Sequence, residues 1–397
     1  MKRDPRGRTD LRLASAVGQC ERTLRMKTPH LSSRRVFLEK LSIGATALAL
    51  GTRARAQSTA AGGARKLGIA LVGLGGYCHG QLGPALKLTQ HCILAGVVTG
   101  SKEKGAKWAK EFGFSEKNIY HYDTMSRIAD NPEIDIIYVV TPNALHPQHV
   151  IAAAWTGKHV ICEKPMATSV ADCNAMITAC RVNKVKLSIG YRLHFEPHHQ
   201  EMMRLAREQD FGPFMKMTGG LAFTINRRVW RIEKAMAGGG PMMDIGIYCI
   251  QAACMAANGA APVAVTAREH PKKRPDFFRD VEETIEWTME FADGAKAELI
   301  TSYDMRMDRF RAEAQRGWIH FEPGFGYGGF KVATSKGPLA LPVAPFHQIA
   351  QMDDFAQCVR DNRDSRVPGE MGRRDMVIIE AIYASAAAGG KRVEVKV

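Results

Sequence analysis

Short apolar segments alternate with helix-forming segments between residues 67 and 190, and no other feature of the sequence limits the fold as strongly. The apolar segments are LGIALV, CILAGVVT, IDIIYVV, HVIC and KLSIGY, and helical stretches separate them. Parallel strands need a crossover connection, which is usually a helix. The order therefore predicts linked β-α-β units around a parallel sheet, in an α/β domain over residues 67–190.

The pattern changes after residue 190. Polar and apolar residues alternate in FMKMTGGLAFTI, VAVTAREH, VEETIEWTMEF and AKAELITSYD. Such alternation is typical of antiparallel strands with one solvated face. Short helices interrupt these strands, and the chain closes with two helical segments, HQIAQMDDFAQCVRDN and RRDMVIIEAIYASAAAGG. We expect an α+β domain over residues 191–397 with a mostly antiparallel sheet, and a C-terminal helix that can pack back on the first domain.

Charge and cysteine content exclude several classes of function. The chain has 397 residues and a net charge of +15, but its basic residues are concentrated in residues 1–66 and dispersed elsewhere. There is no basic helix interleaved with aromatic residues, so we expect no nucleic-acid partner; dispersed basic charge suits anionic ligands such as cofactor phosphates equally well. The nine cysteines form no CxxC pair, so we expect neither a disulfide scaffold nor a metal site.

The N-terminal region has the order of an export signal. Arg34 and Arg35 precede an apolar stretch, and a small-residue cleavage pattern ends at Ala56–Gln57. We interpret residues 1–56 as a twin-arginine signal region, in which Met26 is an alternative start, and residues 57–66 as a linker. The prediction is export of the folded protein to the periplasm by the twin-arginine machinery. The alternative is an amphipathic surface helix.

A glycine turn follows the first predicted strand. Gly73, Gly75 and Gly76 stand between this strand and a helix, and Tyr77 comes directly after them. Glycines at this point allow close approach to a pyrophosphate, which lies on the helix N-terminus. Cys78 occupies the position of the third glycine in the usual fingerprint. The turn, together with its strand and helix, predicts a dinucleotide site.

The end of the second predicted strand indicates which dinucleotide binds. An NAD site usually has an acid there, which accepts from the ribose 2′-hydroxyl. This chain has Thr99, Ser101, Lys102 and Lys104, and no carboxylate before Glu103. Hydroxyls and ammonium groups suit a 2′-phosphate, so NADP is predicted and NAD is disfavoured. The alternative is that the lysines are only solvated residues at the start of a helix.

A lysine ends the predicted strand HVIC, at the sheet edge where ligands bind. Pro165 restricts the backbone of Lys164 to extended conformations. Asp244 and Tyr248 have the i,i+4 spacing that places two side chains on one helix face. An acid and a phenol beside a lysine can transfer protons, since a nearby ammonium favours the phenolate and lowers a tyrosine pKa. These three residues are the predicted catalytic set.

Four motifs in this order resemble the Gfo/Idh/MocA oxidoreductases, and most closely the glucose–fructose oxidoreductase branch. They are VVTPNALHP, CEKPMATS, IGYRLHFEP and GGGPMMDIGIY, and the resemblance covers residues 66–395. It implies a Rossmann domain followed by an open-faced sheet that forms homo-oligomers, as a dimer or tetramer. It further implies tightly bound NADP, oxidation of an aldose at its anomeric carbon to a lactone, and reduction of a second sugar by the same cofactor.

The resemblance also assigns residues. The lysine of the family motif matches Lys164 and its catalytic aspartate matches Asp244. Tyr248 stands where most members have histidine and where the glucose–fructose branch has tyrosine. The implied cofactor contacts are Thr141, Pro142, Asn143, His146, Glu163, Lys164 and Arg192. The residues implied to border the sugar are Tyr191, Arg192, His194, Trp230 and Arg231, for which the alternative is plain packing.

Three functions remain open at this point. The first is an oxidoreductase that retains NADP while it oxidises one sugar and reduces another. The second is an ordinary sugar dehydrogenase that exchanges NADP with solution. The third is a protein that binds the cofactor for sensing without catalysis; the joint presence of Lys164, Asp244 and Tyr248 argues against it.

Overall fold

The computed structural model describes residues 65–397. The predicted twin-arginine signal region and nearly all of the predicted linker lie outside these residues. Within the described chain, no helix is both long enough and apolar enough to cross a membrane.

Six parallel strands form the first sheet, in the order β3-β2-β1-β4-β5-β6. This is the strand order of the dinucleotide-binding fold. The strands are β1 Leu67–Val72, β2 Cys92–Val98, β3 Ile119–Tyr120, β4 Ile136–Val139, β5 His159–Cys162 and β6 Leu187–Ile189.

Nine α-helices accompany the sheets within the described residues. They are α1 Gly83–Leu86, α2 Lys102–Phe112, α3 His146–Trp155, α4 Val170–Val182, α5 Pro197–Glu208, α6 Lys234–Ala237, α7 Ile247–Ala256, α8 His347–Arg360 and α9 Gly369–Ala387. Helix α2 begins at an N-cap serine, whose side chain accepts from the backbone N–H of Lys104, and ends at Gly113 with φ 75°. A glycine in the left-handed conformation is a common end of a helix.

Both faces of the first sheet are covered, which explains why its strands are apolar throughout. Ile69 and Leu71 of β1 belong to one core cluster, and Ala70 and Val72 belong to another. Part of the first cluster comes from Phe355 and its neighbours in α8, near the end of the chain. Helix α9 packs against α4 and β6. The C-terminal helices therefore do pack back on the Rossmann layer.

The second sheet has nine strands in the order β14-β13-β12-β11-β7-β10-β9-β8-β15 within the described chain. The pair β7 and β10 is parallel and the other neighbours are antiparallel, which confirms the predicted fold class. The strands are β7 Phe214–Ala222, β8 Ala264–Glu269, β9 Thr284–Glu290, β10 Lys296–Ser302, β11 Met307–Ala314, β12 Gly317–Phe321, β13 Val332–Thr334, β14 Gly337–Leu339 and β15 Val393–Glu394.

Candidate functional site

A cavity of about 670 Å³ opens where strands of the first sheet end. Its wall combines residues that follow β1, β4 and β5 with residues from the second half of the chain. The predicted site residues that line it are Tyr77, Thr141, Asn143, His146, Glu163, Lys164, Arg192, Trp230, Arg231, Asp244 and Tyr248. Pro142 lies between two of these residues but does not line the cavity.

The glycine turn after β1 has the form that a pyrophosphate site requires. Gly73 has φ 91°, and a Cβ atom there would lie 3.0 Å from Thr141 Cγ2, so another residue would be strained. A Cβ atom at Gly75 or Gly76 would meet nothing within 4 Å, so this part of the turn faces open space. Cys78 is buried, and its thiol donates to the carbonyl of Gly73 at 3.0 Å. The turn therefore fits a dinucleotide even though its third glycine is missing.

The residues predicted to bind the 2′-phosphate lie beside this turn. The N–H of Gly73 donates to the carbonyl of Val98 at 3.0 Å, which brings the turn next to the end of β2. Lys104 Nζ reaches the carbonyl of Leu74 at 3.5 Å. Lys102 begins α2 at the same edge.

A carboxylate also reaches this edge. The hydroxyl of Ser101 donates to Glu103 Oε2 at 3.0 Å, while the hydroxyl of Thr99 accepts from the N–H of Ser101 at 3.2 Å. Glu103 comes after Thr99 and Ser101 in the chain, but its side chain reaches back to Ser101. The edge therefore carries groups of both charges.

Two residues after β4 are fixed by backbone contacts. Asn143 Nδ2 donates to the carbonyl of Ala237 at 2.9 Å. His146 lies 2.8 Å from the carbonyl of Thr141 through Nε2 and 3.0 Å from that of Pro165 through Nδ1. Burial lowers the pKa of His146 to about 4, so the ring is neutral at pH 7. His146 thus ties the end of β4 to the lysine loop.

Glu163 is buried directly before Lys164. Its carboxylate accepts from the hydroxyl of Tyr138 at 2.6 Å and from the N–H of Lys164 at 3.2 Å. Gln351 of α8 donates to the same tyrosine hydroxyl at 2.8 Å. Burial raises the pKa of Glu163 by more than these contacts lower it. Helix α8 therefore contributes Gln351 to the hydrogen bonds that hold Glu163 in place.

Lys164 and Asp244 meet across the cavity wall, as the sequence predicted from their separate motifs. Lys164 Nζ donates to the backbone carbonyl of Asp244 at 2.5 Å and lies 3.6 Å from its Oδ1. Both side chains are largely buried, at 13% and 17% exposure. The Lys164–Pro165 peptide bond is cis, which the sequence did not predict.

Asp244 is the centre of a charged cluster. Arg231 Nε donates to Oδ1 at 3.2 Å, and the hydroxyl of Tyr303 donates to Oδ2 at 2.9 Å. Burial alone would raise the pKa of Asp244, but the charges of Lys164 and Arg231 outweigh burial and the pKa is lowered. The guanidinium of Arg231 also lies 4.6 Å from the ring of Trp230. Asp244 is therefore a carboxylate that holds two cations in place.

Tyr248 lies against two cations. Its ring centroid is 4.7 Å from Lys164 Nζ and 4.9 Å from the guanidinium carbon of Arg192. Asp244 lies in a π-helical turn, Met242–Gly246, and this turn continues directly into α7, which contains Tyr248. Glu282 fixes this turn by accepting from the N–H of Gly240 at 2.9 Å; a Cβ at this glycine would lie 2.3 Å from the Glu282 carbonyl.

Tyr191 and His194 are not at the cavity, contrary to the prediction that they border the sugar. The hydroxyl of Tyr191 donates to Asp375 at 2.6 Å. His194 Nε2 lies 2.7 Å from the side-chain oxygen of Gln251, which in turn donates to Asp375. These partners come from α7 and α9, so both residues belong to a buried polar network between helices. The residues from Arg192 to Phe195 form a short 3-10 helix, and Arg192 is its one residue that lines the cavity.

The sequence did not predict two residues of the candidate site: Tyr303, which contacts Asp244 without lining the cavity, and Tyr327, which lines it. Tyr303 follows β10 and holds Asp244, but its position depends on pairing in the second sheet. Tyr327 lies in the segment PGFGYGG between β12 and β13. An aromatic residue among closely spaced glycines is a signal of an exposed loop that could have been noted.

The comparisons agree with this architecture. Residues 67–191 match the model of the oxidoreductase family with an NAD-binding Rossmann fold, and residues 199–324 match that of the GFO/IDH/MocA C-terminal domain. A cavity with a lysine, an acid and a phenol at the edge of such a sheet defines an oxidoreductase that uses a nicotinamide cofactor. The chain belongs to the Gfo/Idh/MocA family, as its motifs predicted.

Individual relatives support the same placement. The crystal structure of aldose-aldose oxidoreductase from Caulobacter crescentus, complexed with glycerol, is 39% identical, with a TM-score of 0.80 over 83% of this chain and 100% of that chain. The NADP(+) D-xylose 1-dehydrogenase of Haloarcula marismortui is 28% identical over 329 residues, which are 80% of this chain and 90% of the relative. An oxidoreductase domain protein from Kribbella flavida, 17% identical with a TM-score of 0.70 over 84% of this chain and 100% of that chain, shares the fold.

Proposed function

We propose that this protein is an NADP-dependent sugar oxidoreductase, which oxidises an aldose at C1 to a lactone and then reduces a second sugar with the same cofactor. The observation that carries the proposal is the convergence of Lys164, Asp244 and Tyr248 on one cavity at the edge of the Rossmann sheet. The 39% identity to an aldose-aldose oxidoreductase supports the substrate class.

Each residue of this cluster has a distinct role. Tyr248 takes the proton from the anomeric hydroxyl while C1 gives up its hydride, so the hydroxyl oxygen becomes the lactone carbonyl. Lys164 donates to that oxygen and polarises it. Asp244 holds Lys164 at 3.6 Å and Arg231 at 3.2 Å, so that both cations keep their orientation. The nicotinamide ring, when bound, supplies the hydride acceptor.

NADP is the cofactor we favour. Lys104 beside the glycine turn and Lys102 at the start of α2 suit a 2′-phosphate, and several relatives, among them that of Haloarcula marismortui, are named for NADP(+). Glu103 at the same edge favours NAD instead, since its carboxylate could accept from a ribose 2′-hydroxyl. The two lysines outweigh one exposed carboxylate. We also propose that NADP stays bound between the two half-reactions.

A second candidate is a sugar dehydrogenase that exchanges its cofactor with solution. The relative named D-xylose 1-dehydrogenase favours it, since that name describes a single oxidation. A protein that only senses the cofactor is disfavoured, because it would not need a proton acceptor flanked by two cations.

One assay separates these functions. Protein purified without added nicotinamide is mixed with an aldose, and the absorbance of reduced nicotinamide is followed. The proposal predicts reduction of cofactor equal in amount to the protein, and reversal when a second sugar is added. Reduction only after NADP is supplied would favour the exchanging dehydrogenase. No reduction in either case, across a panel of aldoses, would reject both.

Export and assembly complete the proposal. Arg34 and Arg35 support export of the folded protein to the periplasm by the twin-arginine machinery. The open face of the second sheet supports a dimer or tetramer. This face encloses a concavity of about 720 Å³ and carries side chains of both charges, among them Arg309, Arg311 and Glu298, which suits a self-complementary contact. Light scattering of the purified protein tests the assembly, and a monomer would reject it.

A further inference from the structure

A loop beside the cavity depends on a buried arginine for its position. This glycine loop, residues 322–331, joins β12 to β13. Asp308 accepts from the N–H of Phe325 at 2.7 Å. Arg192 holds the carbonyls of Phe325 and Gly326 in the same loop. Its Nη1 donates to the carbonyl of Gly326 at 2.8 Å and its Nη2 to that of Phe325 at 2.5 Å. The arginine therefore fixes the loop through its planar pair of donors.

The same arginine lies between two phenol rings. Its guanidinium carbon is 4.2 Å from the ring centroid of Tyr327 in the glycine loop and 4.9 Å from that of Tyr248. Arg192 is only 2% exposed. Within the part of the chain that the structure describes, its hydrogen bonds go to two carbonyls and to His347, and it forms no ion pair. The two π faces therefore stabilise this buried cation.

Tyr327 is the more exposed of the two rings that flank Arg192. It lines the cavity and is 47% exposed, whereas Tyr248 is 8% exposed. Arg192 lies over its ring, so the exposed part of that ring is left for a ligand. The ring of Tyr77 stands 6.3 Å away at an angle of 41° and is itself held by Gln348 of α8. An open aromatic surface in a cavity suits the apolar C–H face of a pyranose, which gains from burial against a rigid ring.

We infer that Tyr327 is a sugar-binding residue of this site and that Arg192 is the positioning residue that sets it relative to Tyr248. This inference rests on the proposed function and adds a specificity residue to it. Because one guanidinium supports both rings, a sugar packed on Tyr327 keeps a fixed distance from the proton acceptor. Tyr327 acts on binding, and its hydroxyl is not needed for that.

The test compares two variants at one position. Tyr327→Ala removes the ring, and we expect the aldose KM to rise about twofold to tenfold, the effect of losing one aromatic contact, at a near wild-type limiting rate. Tyr327→Phe keeps the ring and should keep the wild-type KM. Both are measured by reduction of bound cofactor over a range of aldose concentrations. Trp155→Ala, at an exposed aromatic residue outside the cavity, is the control.

Arg192→Lys tests the positioning role. Lysine keeps the charge but lacks the planar fork, so the loop and Tyr248 both lose support. We expect a higher KM and a lower limiting rate together, and the bound NADP is measured alongside because Arg192 is also an implied cofactor contact. A change in KM alone would overturn the link between the two rings.

Two results would overturn the sugar contact. One is a wild-type KM in Tyr327→Ala, and the other is an equal rise in Tyr327→Phe, which would assign the effect to the hydroxyl. Both Tyr327 variants change an exposed side chain and decide the question even if Arg192→Lys fails to fold. Absence of aldose-dependent reduction in the wild-type protein would instead overturn the proposed function, and this inference with it.

Discussion

Replacing Tyr248 by phenylalanine separates the hydroxyl from the ring. The ring lies 4.7 Å from Lys164 Nζ and 4.9 Å from the guanidinium carbon of Arg192, and phenylalanine keeps both contacts. Each such contact contributes about 0.5–2 kcal/mol and is unchanged in the variant. The free energy of unfolding should therefore change by no more than about 1 kcal/mol, the scale of a single hydrogen bond.

The rate of sugar oxidation should change far more. General acid–base help from a positioned side chain is typically worth about 10²–10⁴-fold. Since each tenfold in rate corresponds to roughly 1.4 kcal/mol of barrier, Tyr248→Phe should raise the barrier by about 3–5 kcal/mol. NADP should remain bound, because the glycine turn is untouched.

The assay is a single-turnover reduction of the bound cofactor by excess aldose, followed by nicotinamide absorbance. Tyr120→Phe is the matched control: it also removes a buried phenol hydroxyl that takes part in a hydrogen bond, with Asn131 Nδ2 at 2.8 Å, but away from the cavity. The control should react at the wild-type rate. A rate in Tyr248→Phe within about tenfold of wild type, below the range for general acid–base help, would refute the assignment of Tyr248 as proton acceptor.

Three further predictions concern stability, cofactor and export. Burial lowers the pKa of His146 and of His194 to about 4 from 6.5, so the unfolded chain binds more protons between these values. We expect these residues to leave Tm constant above pH 6.5 and to lower it as pH falls towards 4; calorimetry showing a constant Tm in that window would contradict this. Ser101→Asp, which keeps an N-cap, should weaken NADP binding measured by titration, and unchanged affinity would place the 2′-phosphate elsewhere. Changing Arg34 and Arg35 to lysine should retain the protein in the cytoplasm in a fractionation experiment, and continued export would reject the signal.

The fold could be predicted because local patterns decide most of it. Five strands of the first sheet are mainly apolar and bounded by turns, so each could be recognised. The short strands β3, β13, β14 and β15 were not predicted, since two or three residues carry no period, and the longer strands β11 and β12 were also missed. Helix α5 was also missed, although Glu196 caps it by accepting from the N–H of His199. Its two histidines within one turn conceal the helical pattern.

The site was predictable where one motif fixes both sequence and geometry. Lys164 follows a strand of the first sheet, and Asp244 and Tyr248 share one helical segment. The family resemblance, rather than chain position, predicted that the two segments meet. The prediction that Tyr191 and His194 border the sugar was wrong because their partners, Asp375 and Gln251, lie far along the chain. Whether a polar side chain faces a ligand or a buried carboxylate depends on such distant packing, which neighbouring residues do not reveal.

The return of α8 to the first sheet has a consequence for biosynthesis. Phe355 and its neighbours in α8 pack on the face of the first sheet that contains Ile69 and Leu71. A ribosome delivers β1 long before α8. Until α8 is made, the part of this face that Phe355 covers stays exposed, although α1 and α2 already cover the rest. The first sheet therefore completes its core only after strands β7 to β14 have been synthesised.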